Sequence, residues 1–183
     1  MDEQLEFVKQ IAQRLDAAGI DYMMTGSMAM AVYASPRMTR DVDLVVDVTE
    51  ADIDALVRSF GADCYIDRDA VAEAVEARSM FNVIHNEWII KADFIVRKVD
   101  SYRQLEFQRR REIDVEGTAL YVVAPEDLIL SKLLWAKETG SELQRRDVKD
   151  VILSGTSLDW QYLDSWSGQL GVDRQLREIA GHE

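Results

Sequence analysis

The stretch TGSMAMAVYASPRMTRDVDLVVD, residues 25–47, sets a Gly-Ser pair ahead of small and apolar residues and ends on two aspartates separated by one valine. Side chains two apart on a strand point to the same face, so Asp41 and Asp43 project together while Val42, Leu44 and Val46 point the other way. Adjacent carboxylates repel unless water or a cation separates them, and a divalent metal turns that conflict into a site. An all-oxygen ligand set suits Mg²⁺ or Mn²⁺ rather than zinc. Such an ion commonly also holds substrate phosphates, which draws in the preceding turn. Gly26 lets backbone amides come close, Ser27 adds a hydroxyl, and a helix beginning at Met28 would aim its first amides at an anion. Arg37 and Arg40 flank the aspartates, either neutralising them in the metal-free protein or, for Arg40, joining Gly26 and Ser27 around a bound phosphate.

Outward from this stretch, residues 3 to 18 carry Leu5, Val8, Ile11, Ala12 and Leu15 at helical spacing, and Asp21 to Met24 reads as a short strand. The short helix of Met28 to Ala34 stops before Ser35-Pro36, because the residue preceding a proline avoids helical geometry. Val42 to Val48 reads as β. Thr49 caps the next helix with Asp52 completing a capping box, and Gly61 ends it. A second helical run covers Asp69 to Ala77. SMFNVIH and WIIKADFIV then form a hairpin across the two-residue connection Asn86-Glu87. Two more strands meet at Glu116-Gly117, and Pro125 opens a helix. From there helical periods dominate. These elements predict an α+β chain: a mixed-sheet core over residues 1–124 and a helical C-terminal region, 125–183, packed on it.

With 21 Lys and Arg against 34 Asp and Glu, the formal net charge of the 183 residues is -13. That balance argues against a general polyanion-binding surface, leaving small molecules or a narrow nucleic-acid contact. The basic run Arg109 to Arg111 reads as solvation between a helix and a strand, and the methionines at 23, 24, 28 and 30 as core filling. One cysteine, Cys64, allows neither an intrachain disulfide nor a cysteine zinc cluster, which fits a reducing compartment. The acidic, helix-periodic N-terminus lacks the layout of an export signal, and no apolar run is long enough to cross a bilayer, so a cytoplasmic location with no membrane partner is expected. His85 lacks a second histidine at ligand-like spacing, and His182 lies in the tail.

The combination of an apolar residue with Gly26-Ser27, a spacer, and Asp41-Val42-Asp43-Leu44 resembles the nucleotidyltransferase superfamily related to DNA polymerase β. The resemblance implies that superfamily's core, a third carboxylate from a neighbouring strand, and divalent metal with a nucleoside triphosphate such as ATP as co-substrate. Asp93 in KADFIV is the matching third acid, so Asp41, Asp43 and Asp93 are the expected metal ligands. Farther on, APEDLILSKLLWAKETGSELQRRDVKDVIL looks like the helical region of the abortive-infection, toxin-type branch, in which a helix lysine and an Arg-x-x-Asp-like element reach the nucleotide. Lys132 is the matching lysine and Asp147 the matching acid, with Arg145, Arg146 and Asp150 offering competing registers. Met28 occupies the slot where minimal antitoxin-like members carry an arginine.

The expected reaction moves a nucleoside monophosphate to a hydroxyl of a small molecule or a tRNA end and releases pyrophosphate. Overall acidity favours the small molecule. The competing expectation is a catalytically silent nucleotide-binding or partner-binding module of a toxin-antitoxin system, with a cognate antitoxin or a second copy of the chain as partner.

Overall fold

Phe7, Val8, Ile11, Ala12 and Leu15 are buried along one stripe of the first helix, α1 (Glu3–Ala17), with Phe7 taking the place that spacing assigns to Leu5. This is a computed structural model; it describes residues 3–34 and 41–181. The chain divides into two units, one of Met1–Met28 with Met38–Val123 and one of Ala29–Arg37 with Ala124–Glu183.

The first unit is built on seven strands: β1 (Tyr22–Thr25), β2 (Asp41–Val46), β3 (Cys64–Tyr65), β4 (Met80–His85), β5 (Lys91–Val96), β6 (Arg111–Val115) and β7 (Thr118–Val122). They form one mixed sheet in the order β3-β4-β5-β2-β1-β7-β6. β2 runs parallel to β5 and β1 parallel to β7, while the remaining pairs are antiparallel. Together with the helices this is the expected α+β class.

Between β2 and β3, Thr49 and Asp52 form the expected capping box around a single 3-10 turn, and α3 (Ile53–Phe60) follows. Asp67 caps α4 (Arg68–Ala77) and Asp100 caps α5 (Ser101–Gln108), each through its carboxylate and a backbone N–H three residues on. Branched and aromatic residues of β2, β4 and β5 bury one sheet face, where the Phe94 ring meets Phe60 of α3 edge-on at 5.6 Å and stacks on Phe81 at 5.2 Å. Met23, Met24 and Met30 are buried, as gap-filling residues should be, whereas Met28 is only half-buried.

Two connections differ from what spacing predicts. The β4–β5 hairpin closes on a His85 N–H to Ile90 carbonyl bond, so Asn86 to Ile89 form the loop and Ile89 takes φ 54°. Asn-Glu lacks the glycine that a two-residue turn needs, and the longer loop removes that demand. His85 is buried there, stacked on Trp88 at 4.0 Å. The β6–β7 turn does hold two residues, Glu116 at φ 53° and Gly117 at φ 82°, the left-handed pair that suits a tight hairpin. In the basic run just before β6, Arg110 does not simply solvate the chain. It pairs with Asp21 at 3.0 Å and lies over the Phe107 ring at 4.5 Å.

Arg14 of α1 donates to both oxygens of Asp63, at 2.8 and 2.6 Å. Those hydrogen bonds hold the Asp63 carboxyl below its ordinary value against the opposing push of burial. A carboxyl made more acidic by folding contributes stability that is complete above its unfolded pKa, ~3.9, and is lost as pH falls through the folded value. Arg14→Gln is expected to lower stability by about 1 kcal/mol at neutral pH, since the pair is partly exposed. Urea titrations should show that difference shrinking below the folded pKa. A gap that persists in acid would assign the effect to packing of the Arg14 stem.

The second unit contains α6 (Pro125–Thr139), α7 (Glu142–Leu153), α8 (Trp160–Leu170) and α9 (Asp173–Ala180). Pro125 takes the first position of α6, where its missing N–H costs nothing. Leu128, Ile129, Leu133, Val148, Val151, Leu163 and Leu176 are buried. Two acids of the first α6 turn are buried with donors from the start of α8: Glu126 accepts from the Asp159 N–H at 2.9 Å and Asp127 from the Tyr162 hydroxyl at 2.6 Å. Among the described residues, no helix is long and apolar enough to cross a membrane.

Candidate active site

Strand register brings the acids together. Asp43 on β2 lies beside Asp93 on the parallel β5, Asp93 lies opposite Asn82 on β4, and Asp43 lies opposite Thr25 on β1. Neighbouring strands are ~4.8 Å apart, so Asn82, Asp93, Asp43 and Thr25 form one row across four strands on one sheet face. One step along the strands, Asp41 stands beside Lys91. Val42, Leu44, Ala92 and Phe94 alternate with these residues and are fully buried on the opposite face. The period of two that makes Asp41 and Asp43 point together thus also sets them apart from the core.

Gly26 and Ser27 are not a turn leading to a helix at Met28. They are the first two residues of that helix, α2 (Gly26–Tyr33), which begins directly where β1 ends. Gly26 makes this possible with φ +60°. A Cβ built there would lie 2.7 Å from Asp43 Cγ and 2.9 Å from Asp43 Cβ, and nearer still to Oδ2. Asp43 is therefore packed against bare backbone at the N-terminus of α2, where the helix dipole favours negative charge. Arg37 and Arg40, expected to flank the site, lie outside the described residues, as does His182.

Two residues that the sequence pattern does not single out hold Asp93. The Asn82 side-chain amide donates to Asp93 Oδ1, and the Lys91 ammonium donates to Asp93 Oδ2 at 3.0 Å. Lys91 Nζ also lies 3.9 Å from Asp41 Oδ1. The hydrogen bond to Asp93 and then the charges of Asp93, Asp41 and Asp43 hold the Lys91 pKa above its ordinary value, against a smaller opposing effect of burial. Its position two before Asp93 was the available signal for Lys91; for Asn82 there was none short of the β4–β5 pairing.

Among the described residues, no three histidine, cysteine or acidic side chains stand arranged to hold a metal ion. Asp93, only 9% exposed, directs one oxygen to Asn82 and the other to Lys91. The donor set still fits a hard divalent cation. All three acids offer oxygen, and the ammonium of Lys91 is a stand-in cation already attracted by Asp93 and Asp41.

Lys132 and Asp147 belong to the second unit, where they form a buried ion pair. Lys132 Nζ donates to Asp147 Oδ2 at 2.7 Å and to Gln144 Oε1 at 3.0 Å, bridging α6 and α7. Their side chains are 5% and 3% exposed. Lys132 thus lies inside the unit, where α7 covers it.

Solved structures with the same arrangement of elements decide the fold. The antibiotic-resistance factor ANT(2'')-Ia aligns at a TM-score of 0.63 with 15% identity, covering 100% of this chain and 99% of that one. The chain has the nucleotidyltransferase fold. An antigenic nucleotidyltransferase-like protein from Paracoccidioides brasiliensis aligns at 0.58 with 18% identity, covering 100% and 94%. The lincosamide antibiotic adenylyltransferase LnuA, in its lincomycin-bound structure, aligns at 0.54 with 12% identity, covering 84% and 98%. No family model matches the sequence, and comparison with curated proteins gives no match. Within the nucleotidyltransferase fold of this chain, the Gly-Ser helix start lies beside the paired acids of β2 and β5.

Proposed function

We propose that the chain transfers a nucleoside monophosphate from a nucleoside triphosphate to an acceptor hydroxyl, with pyrophosphate as the leaving group. The observation that carries this reading is the in-register pair Asp43 and Asp93 beside Gly26, whose missing Cβ seats the Asp43 carboxylate at the start of α2. Mg²⁺ or Mn²⁺ held by Asp41 and Asp43, with Asp93 alongside, would supply the positive charge that draws electrons from the transferring phosphoryl group. Gly26 and Ser27 receive the departing phosphates at the helix N-terminus, where backbone amides and the dipole favour anions. Asp93 faces the acceptor, orients its hydroxyl and takes its proton. Arg40 is assigned to the triphosphate from its place beside Asp41 in the sequence. Lys132 and Asp147 are assigned to the nucleotide on the toxin-type resemblance alone. Catalysis on this scheme is charge placement and in-line positioning rather than covalent chemistry.

A small hydroxylated molecule is the favoured acceptor and an RNA end the second. The net charge of -13 opposes broad contact with a phosphate backbone. Two of the structural neighbours are described as an antibiotic-resistance factor and an antibiotic adenylyltransferase, which supports the same choice.

The test is incubation with each α-labelled nucleoside triphosphate and Mg²⁺ or Mn²⁺, with an aminoglycoside and lincosamide panel or total RNA as acceptor. Label is expected in a small-molecule product, reduced at least about 100-fold in Asp43→Asn, the scale on which loss of one charge-stabilising group acts. Nucleotide that binds while label never moves would instead mark a binding module, such as one member of a toxin-antitoxin pair.

A further inference from the structure

Resting on the nucleotidyl-transfer reading, we propose that Lys91 is a built-in cation taking the place of a second metal, so that the site holds one divalent ion, on Asp41 and Asp43. Among the described residues, three carboxylates share this corner of the sheet and one ammonium stands among them. Lys91 Nζ is 3.0 Å from Asp93 Oδ2 and 3.9 Å from Asp41 Oδ1, so the ammonium already stands between those two carboxylates. The register fixes this placement, because Lys91 is the direct neighbour of Asp41 and lies two residues before Asp93 on the same strand face.

A second ion at Asp93 would meet the Lys91 ammonium at like-charge contact. Asp93 remains able to act on the acceptor. Each carboxylate oxygen has two lone-pair directions, so hydrogen bonds from Asn82 and Lys91 leave room for a hydroxyl to donate. Lys91 is thus a positioning residue: it neutralises Asp93, keeps that carboxylate oriented along the row, and limits the metal count. Its side chain is 42% exposed, so a substitution there leaves the core of the sheet intact.

The test is a Mn²⁺ titration of the full chain without nucleotide, counting bound ions by the loss of the free Mn²⁺ electron paramagnetic signal. Wild type and Lys91→Arg are expected to bind one ion per chain, and Lys91→Met two, with the second ion lost again in Lys91→Met/Asp93→Asn. Circular dichroism confirms that each variant is folded, and Lys91→Gln provides a second neutral replacement. Two ions in wild type would show that the lysine swings aside and overturn the proposal, as would a single ion in both neutral variants. Wild type that binds no Mn²⁺, or binding that Asp43→Asn leaves unchanged, would remove the metal site itself and with it the nucleotidyl-transfer reading.

Discussion

Gly26→Ala is expected to abolish nucleotidyl transfer in a chain that still folds. The added methyl would lie 2.7 Å from Asp43 Cγ and 2.9 Å from Asp43 Cβ, distances that non-bonded carbon atoms do not adopt. Rotating the carboxylate relieves only part of this, because the Asp43 Cβ is fixed by a strand paired on both sides, to β1 and to β5. Strand or helix start must therefore shift, and a misplacement on the order of 1 Å at a reacting centre costs about 100-fold in rate. The left-handed φ of +60° adds a direct penalty for any side chain. That penalty is about 1–2 kcal/mol, corresponding to a drop in Tm of about 2–8 °C for a chain of this size. Thermal melts and label transfer measured together test both parts. A fully active Gly26→Ala variant would show that Asp43 is not held by the helix start.

Lys132→Met is expected to produce the largest loss of stability. The ion pair with Asp147 is almost completely buried, and removing the ammonium takes away a charge at 2.7 Å that offsets the desolvation of a carboxylate at 3% exposure. Breaking one side of such a pair costs about 3–5 kcal/mol, or about 6–20 °C in Tm. The double variant Lys132→Met/Asp147→Leu should recover most of that loss, since an apolar pair of similar volume carries no buried charge. Urea unfolding of the two single variants and the double closes the cycle. A single variant that loses less than about 1 kcal/mol would mean that water reaches Asp147 on a small local opening. Neither outcome bears on transfer chemistry, which keeps this stability role separate from any contact with nucleotide.

Much of the candidate site was readable before any fold was known. Asp41 and Asp43 alternate with Val42, Leu44 and Val46, and a period of two is a local property that survives in the folded strand. The Thr49 and Asp52 capping box and the Glu116-Gly117 turn were equally local. The Gly-Ser pair was recognised as important but misplaced, because nothing in its composition distinguishes a turn before a helix from the helix start itself. That choice depends on the φ of Gly26, and Asp43 packs against the result. The two-residue β4–β5 connection failed for a related reason: Asn86-Glu87 lies near the tip, but a strand ends where its partner stops pairing. The burial of Lys132 was hidden as well, since the stripe of α6 says which face is apolar and not which helix lies over its border.

By itself the sequence determined the residue types and their local faces: two strand acids pointing together, a glycine that can take a left-handed φ, and a lysine two residues before a third acid. Only the tertiary structure decided that Asp93 lies beside Asp43, that Asn82 and Lys91 occupy its oxygens, and that Gly26 leaves room for a carboxylate. The reason is physical. Side-chain direction along one strand follows from the covalent backbone, whereas the neighbour of a strand depends on a parallel pairing between segments fifty residues apart, which no local preference encodes.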